Sequence, residues 1–160
     1  MISKYAYLFL LIALSVNNTF SQTRVVRWGG PTDGANSPAL VSSLTGVTQI
    51  YSNDGAFAAL KMDGSVVTWG NSDSGGDSSS VASSLTSGVT QIHSNYRGFA
   101  ALKSDGSVVF WGYHQEDYTI GFSTVASSLT SGVTKIFTTL QGAFAAVKTD
   151  GSVFTWGDPY

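Results

Sequence analysis

The sequence predicts an all-β chain built as an array of small repeated sheets, and three observations predict it. One block is written three times in the same internal order: Gly46-Val47-Thr48-Gln49-Ile50, then Ala56 to Lys61, then Asp63-Gly64-Ser65, then Val66 to Gly70, with copies opening at Gly88 and Gly132. Trp-Gly pairs recur at Trp28, Trp69, Trp111 and Trp156, spaced by 41, 42 and 45 residues. A period of this length marks units that cannot bury their apolar faces alone and must stack. Gly, Ser, Thr and β-branched residues dominate, and no segment shows a 3.6-residue period, which excludes a helical solenoid.

Each block contains a hairpin. Asp63-Gly64, Asp105-Gly106 and Asp150-Gly151 each stand between two apolar runs. Asp-Gly favours a two-residue type I′ turn, in which both central residues take positive φ. That loop would pair Leu60 with Val67 and Ala58 with Trp69, and likewise Leu102 with Val109, Ala100 with Trp111, Val147 with Phe154 and Ala145 with Trp156. The runs themselves, such as Phe57-Ala58-Ala59-Leu60, are nearly continuous in apolar residues, as in strands covered on both faces. A further strand is expected before each hairpin, at Val47 to Tyr51, Val89 to His93 and Val133 to Phe137. A fourth is expected at Ala39 to Leu44, Val81 to Leu85 and Val125 to Leu129. Four strands per repeat with both sheet faces covered describe a propeller blade.

Composition bounds the function. The 160 residues are 42% hydrophobic and only 11% charged, with a net charge of −2. That is too apolar for disorder, and it lacks the basic patch that phosphate recognition needs, so nucleic acid is excluded as a partner. Lys4 followed by the uncharged apolar run Tyr5 to Val16, with Thr19-Phe20-Ser21 before Gln22, reads as a secretory signal peptide over residues 1–21. The run is too short to span a bilayer, so the mature chain, 22–160, is expected to have no membrane span and to be secreted or held at the cell surface. There is no Cys, so stability must come from packing alone.

The string Gly-Val-x-x-Ile, then Ala-Leu-Lys-x-Asp-Gly-Ser-Val-x-x-Trp-Gly, resembles the RCC1-like β-propeller repeat, particularly in its short-repeat, secreted bacterial form. The resemblance covers 23–160 and implies a partial β-propeller of about three four-stranded blades, 28–68, 69–110 and 111–155. It includes the secreted protein inhibitors of β-lactamase among its relatives. The Gly-x-His step common in that family is replaced by Asp54-Gly55-Ala56-Phe57 and its copies, and Asn71 to Asp77 replaces the family's Asn-x-x-Gly-Gln-Leu. The missing family loop residues and the signal peptide disfavour a nucleotide-exchange role. Propellers close with four to eight blades. The expectation is therefore that the array continues beyond Tyr160; the alternative is that copies of the chain assemble to close a ring.

Antiparallel order puts the three Asp-Gly hairpins at one end of the array and the loops Ser52–Gly55, Ser94–Gly98 and Thr138–Gly142 at the other. The hairpins scarcely change between copies, whereas the opposite loops do, and variable loops on a rigid scaffold are a common way to build a binding surface. The candidate binding residues are Asn53, Asp54, Asn95, Tyr96, Arg97, Tyr113, His114, Tyr118 and Gln141; Tyr and Arg are frequent interface anchors. Trp28, Trp69, Trp111 and Trp156 with Gly64, Gly106 and Gly151 are structural. No catalytic residue is expected: His93 aligns with Tyr51 and Phe137 in its strand, there is no thiol, and no Ser lies in a Gly-x-Ser-x-Gly elbow. Adjacent Glu116 and Asp117 would point to opposite sides of a strand. Asp73 to Asp77 lacks the ordered ligand series of a calcium loop, so neither metal nor cofactor is expected. The expected function is non-catalytic binding of a macromolecule, another protein in the first instance. Protein inhibition of an enzyme, or glycan binding as a surface module, are the alternatives.

Overall fold

The computed structural model describes residues 44–112 and 122–157. The signal-peptide segment, Trp28, the strand expected at 39–43, and Tyr113, His114 and Tyr118 lie outside the described residues.

The described chain is all-β, in three antiparallel three-stranded sheets. The first contains β1 (Val47–Ser52), β2 (Ala56–Lys61) and β3 (Val66–Gly70). The second contains β4 (Val89–Ser94), β5 (Gly98–Lys103) and β6 (Val108–Gly112). The third contains β7 (Val133–Thr138), β8 (Ala143–Lys148) and β9 (Val153–Gly157). In each sheet the Phe-Ala-Ala strand is central, and β5 is buried on both faces along its first five residues, as its unbroken apolar run requires.

The hairpins form where expected, but with a different turn. Gly64 N–H donates to Lys61 O, and Lys61 N–H to Ser65 O. The loop therefore holds three residues, Met62, Asp63 and Gly64, with Gly64 at φ 76 closing it. The Asp63 carboxylate accepts from both the N–H and the hydroxyl of Ser65, and the bonds recur at Asp105–Ser107 and Asp150–Ser152. An Asp that bonds two residues ahead favours this wider turn over type I′. The extra loop residue shifts the register by one, which exchanges sheet faces along the strand. Leu60 thus pairs with Val66, Ala59 with Val67 and Phe57 with Trp69, in place of the expected Leu60–Val67 and Ala58–Trp69. The same correction gives Phe99–Trp111 and Phe144–Trp156.

The segments expected as fourth strands are 3-10 turns, at Ser79–Leu85 and Ala126–Leu129. The Thr that closes each turn satisfies a backbone carbonyl locally and competes with a ladder: Thr86 Oγ1 donates to Ser83 O, and Thr130 Oγ1 to Ser127 O. Only the closing leucine of each is fully buried, Leu85 and Leu129, matching Leu44 in the first repeat. Lys103 Nζ donates to Ser84 O and Lys148 Nζ to Ser128 O, tying each turn to the central strand that follows.

The Gly-Val-x-x-Ile string has a specific cause. The register shifts between Val47 and Gln49, between Val89 and Gln91 and between Val133 and Lys135. This bulge leaves one Thr unpaired in each first strand, and its hydroxyl bonds a carbonyl of the central strand: Thr48 to Leu60, Thr90 to Leu102, Thr134 to Val147. A regular strand puts residues three apart on opposite faces. The bulge returns Val89 and Ile92 to the same face, where both are buried.

The second sheet has two unlike faces, one toward the first repeat and one toward the third. At the first junction Ala56, Ala58 and Leu60 face Leu85, Val89, Ile92, Phe99 and Trp111. At the second, Ala100, Leu102 and Val108 face Leu129, Val133, Ile136, Phe144 and Trp156. A single backbone bond is added at each hairpin end: Val89 N–H donates to Gly64 O, and Val133 N–H to Gly106 O, at 3.0 and 2.9 Å. Burying one side chain of this size contributes about 1.5–3 kcal/mol, so the junctions hold the array together.

Candidate functional site

The end of the array opposite the hairpins is built from three short loops with one shared device. Asn53 Oδ1 accepts from Gly55 N–H and Ala56 N–H. Asn95 Oδ1 accepts from Arg97 N–H and Gly98 N–H. Thr139 Oγ1 accepts from Ala143 N–H across a loop one residue longer. These side-chain oxygens replace the backbone partners that the turning chain loses.

The same loops are stitched to one another. Asn53 Nδ2 donates to Ser74 O in the loop after Trp69. Asn95 Nδ2 donates to Gly142 O of the third repeat at 2.7 Å, and Ser94 Oγ to Ser52 O of the first. Asn95 is 6% exposed. Both candidate asparagines therefore spend their hydrogen-bonding groups inside the loop framework. What the framework presents outward is Asp54, Tyr96, Leu140 and Gln141, all exposed. The Arg97 guanidinium lies 5.2 Å from the Tyr96 ring centroid, a cation–π contact that holds the exposed ring in place.

Leu140 is the residue that sequence reasoning misses. It is 91% exposed, pushed outward by the extra residue of the third loop. A lone large aliphatic in an otherwise polar loop, Thr138 to Gly142, is the signal that could have found it.

The hairpin end differs in character. A shallow groove there is lined by Lys103, Asp105, Ser107, Phe122 and Leu129 among others. Its polar groups are already engaged: Lys103 Nζ at Ser84 O and the Asp105 carboxylate at Ser107. Those Ser107 hydrogen bonds, side chain first and backbone second, hold the Asp105 carboxyl below its usual range, as Ser65 and Ser152 do for Asp63 and Asp150. Among the described residues, no three His, Asp or Glu side chains gather as a metal site, and no helix is long and apolar enough to cross a membrane.

His93 stands at the junction of the second and third repeats, opposite Ala100 in the register. It is partly buried, and its Nε2 is fully enclosed without a hydrogen-bond partner. Desolvation lowers its pKa from the ordinary 6.5. His93 occupies the place of Tyr51 and Phe137 in their repeats.

No protein-family model and no curated protein matches the chain. Among solved structures it is similar to the crystal structure of human WBSCR16, at 24% identity and a TM-score of 0.44, over 69% of this chain and 34% of that one. The chain thus matches about a third of that protein's length, and a likeness at this TM-score carries no argument for the site.

Proposed function

We propose that the chain is a blade array of an RCC1-like β-propeller, secreted or displayed at the cell surface, that binds another protein through its loop-rich end and has no catalysis of its own. The observation that carries this reading is the contrast between the two ends. At the hairpin end three turns repeat the same Asp–Ser hydrogen bonds, and two of them dock on the next repeat. At the loop end one hydrogen-bonded framework supports three different sets of side chains and exposes Tyr96, Leu140 and Asp54. Aromatic and aliphatic anchors on a rigid support, ringed by polar groups, are what a protein partner recognises.

Capture from the extracellular fluid and envelope extract of the producing cells tests this, with the immobilised full chain as bait and mass spectrometry as readout. A protein captured by the wild type and lost with the Tyr96→Ala/Leu140→Ala variant supports the proposal. Capture unchanged by the variant, or no protein captured at all, overturns it. Retention on a glycan array, lost with the same variant, would favour the carbohydrate-binding alternative.

A further inference from the structure

The first strand of the second repeat carries an ionisable ring at a place where the third repeat carries Phe137. His93 stands opposite Ala100, and Ala100 belongs to the core shared with the third repeat. Residues directly opposite in a sheet share a face, so His93 points into the junction of the second and third repeats. Its Nε2 is enclosed there without a hydrogen-bond partner. A neutral imidazole tolerates this, because one ring nitrogen carries no proton. An imidazolium donates from both nitrogens, and an enclosed cation needs a partner. Among the described residues no charged group faces the ring to supply one. Its row continues across β5 and β6 as Ala100 and Phe110. From the third sheet Ile136, Phe144 and Ala146 face it. Lys135 pairs with Val147 on the opposite face from Ile136, and Lys148 is held at Ser128 O, at the hairpin end. The loop Thr138–Gly142 has no ionisable side chain. Tyr51 packs into the first junction, on the other face of the second sheet. Arg97, nearest along the chain, lies against the Tyr96 ring and is itself a cation. Burial alone lowers the pKa of His93.

The loop end of the same junction is held two residues further on. Asn95, 6% exposed, donates from Nδ2 to Gly142 O of the third repeat at 2.7 Å. Ser94, between them, donates to Ser52 O of the first repeat. The chain thus runs directly from the enclosed imidazole to the bonds that stitch the three loops together. We propose that His93 is a proton-operated latch of the loop end: while the ring is neutral the second and third loops stay closed on each other, and protonation at Nε2 parts them, breaks the Asn95–Gly142 bond and lets water reach the ring. The inference rests on reading the loop end as the binding surface, since Tyr96 and Leu140 stand on the two loops that part and keep their relative positions only while His93 is neutral. The hairpin end of the junction has its own bond, from Val133 N–H to Gly106 O, and stays shut.

Amide hydrogen exchange of the full chain at pH 7.5 and 5.5, each corrected for the intrinsic rate at that pH, tests this on the wild type and on His93→Tyr. In the wild type, opening of the loops at 95–98 and 139–142 is expected to rise severalfold on acidification, with a ceiling of about tenfold for one proton taken up at the ordinary 6.5. The loop at 53–55 and the hairpins at 104–107 and 149–152 are expected to keep their protection. In His93→Tyr none of these segments is expected to change between the two pH values. Wild-type loops that do not respond to pH, an equal response in the variant, or a loss spread evenly over loops and hairpins overturns the proposal. If circular dichroism shows that His93→Tyr does not fold, His93→Phe, with the residue of the third repeat, carries the same comparison and the same expected outcomes. The measurement is made on the free chain, so its failure leaves the binding surface standing, and a failed capture experiment leaves the latch standing.

Discussion

Phe99 and Trp111 face each other across β5 and β6 and stack with ring centroids 5.4 Å apart and planes 19° from parallel. The pair recurs as Phe57–Trp69 at 5.3 Å and Phe144–Trp156 at 5.3 Å. In the second and third repeats it is the unit delivered to the junction with the preceding repeat. In the second repeat the Trp111 indole also reaches back, its Nε1 donating to Gly75 O at 3.1 Å in the loop after Trp69.

Replacing Trp111 by Ala removes the stack, the buried indole and that hydrogen bond together. The expected loss is about 3–5 kcal/mol. Trp111→Phe keeps an aromatic but loses the donor, and is expected to cost less. Urea unfolding of both variants checks this; a midpoint shift for Trp111→Ala no larger than that of an exposed control such as Met62→Ala would contradict it.

Asn95→Ala leaves the Gly98 N–H and the Gly142 carbonyl without their side-chain partner at buried positions. Each group left unsatisfied costs about 1–3 kcal/mol, so a loss of about 2–4 kcal/mol is expected. Asn53→Ala is expected to cost less, because its site is half-buried and water can take over. Equal effects of the two substitutions in thermal melts would show that burial does not set the difference.

Gly106→Ala and Gly151→Ala separate backbone strain from collision. Both positions have positive φ, at 77 and 83°, which costs an Ala about 1–2 kcal/mol. Only at Gly106 does the added Cβ also strike the backbone of the next repeat. Gly106→Ala is therefore expected to destabilise clearly more than Gly151→Ala. Equal denaturation midpoints for the two variants would contradict it.

The depressed His93 pKa links folding to pH. The unfolded chain binds a proton at this site at a pH where the folded chain does not, so His93 supports folding above about 6.5 and that support is lost as pH falls through the folded value. Stability is expected to decline between pH 7.5 and 5.5, and the decline to shrink in His93→Tyr, which places at this site the residue that the first repeat carries as Tyr51. Identical pH profiles for wild type and variant would refute the assignment. The lowered pKa values of Asp63, Asp105 and Asp150 act in a separate window, below 3.8.

The order of strands and the placement of every hairpin are legible in the sequence, because a repeated Asp-Gly between apolar runs has few other readings. The register is less so. Asp-Gly suits both the two-residue turn and the wider one, and Ser65, whose two donors hold Asp63, decides between them. The fourth segment reads as a strand from Val81 and Leu85, yet the Thr86 hydroxyl satisfies the Ser83 carbonyl locally, and only Leu85 is fully buried. Gly-Val-x-x-Ile is visible as a motif, but its meaning, a bulge that returns two apolar residues to one face, appears only in the pairing. At the candidate site Asn95 and Asp54 look alike as polar loop residues. The first is buried by a carbonyl of the next repeat, a contact between residues 47 positions apart that no local pattern reveals.

The measurement that tests the central claim most directly is amide hydrogen exchange of the full chain with and without its captured protein partner. The account predicts new protection in the loops at 53–55, 95–98 and 139–142, with the hairpins at 62–65, 104–107 and 149–152 unchanged. Protection confined to the hairpins, with the loops still exchanging freely, would contradict it.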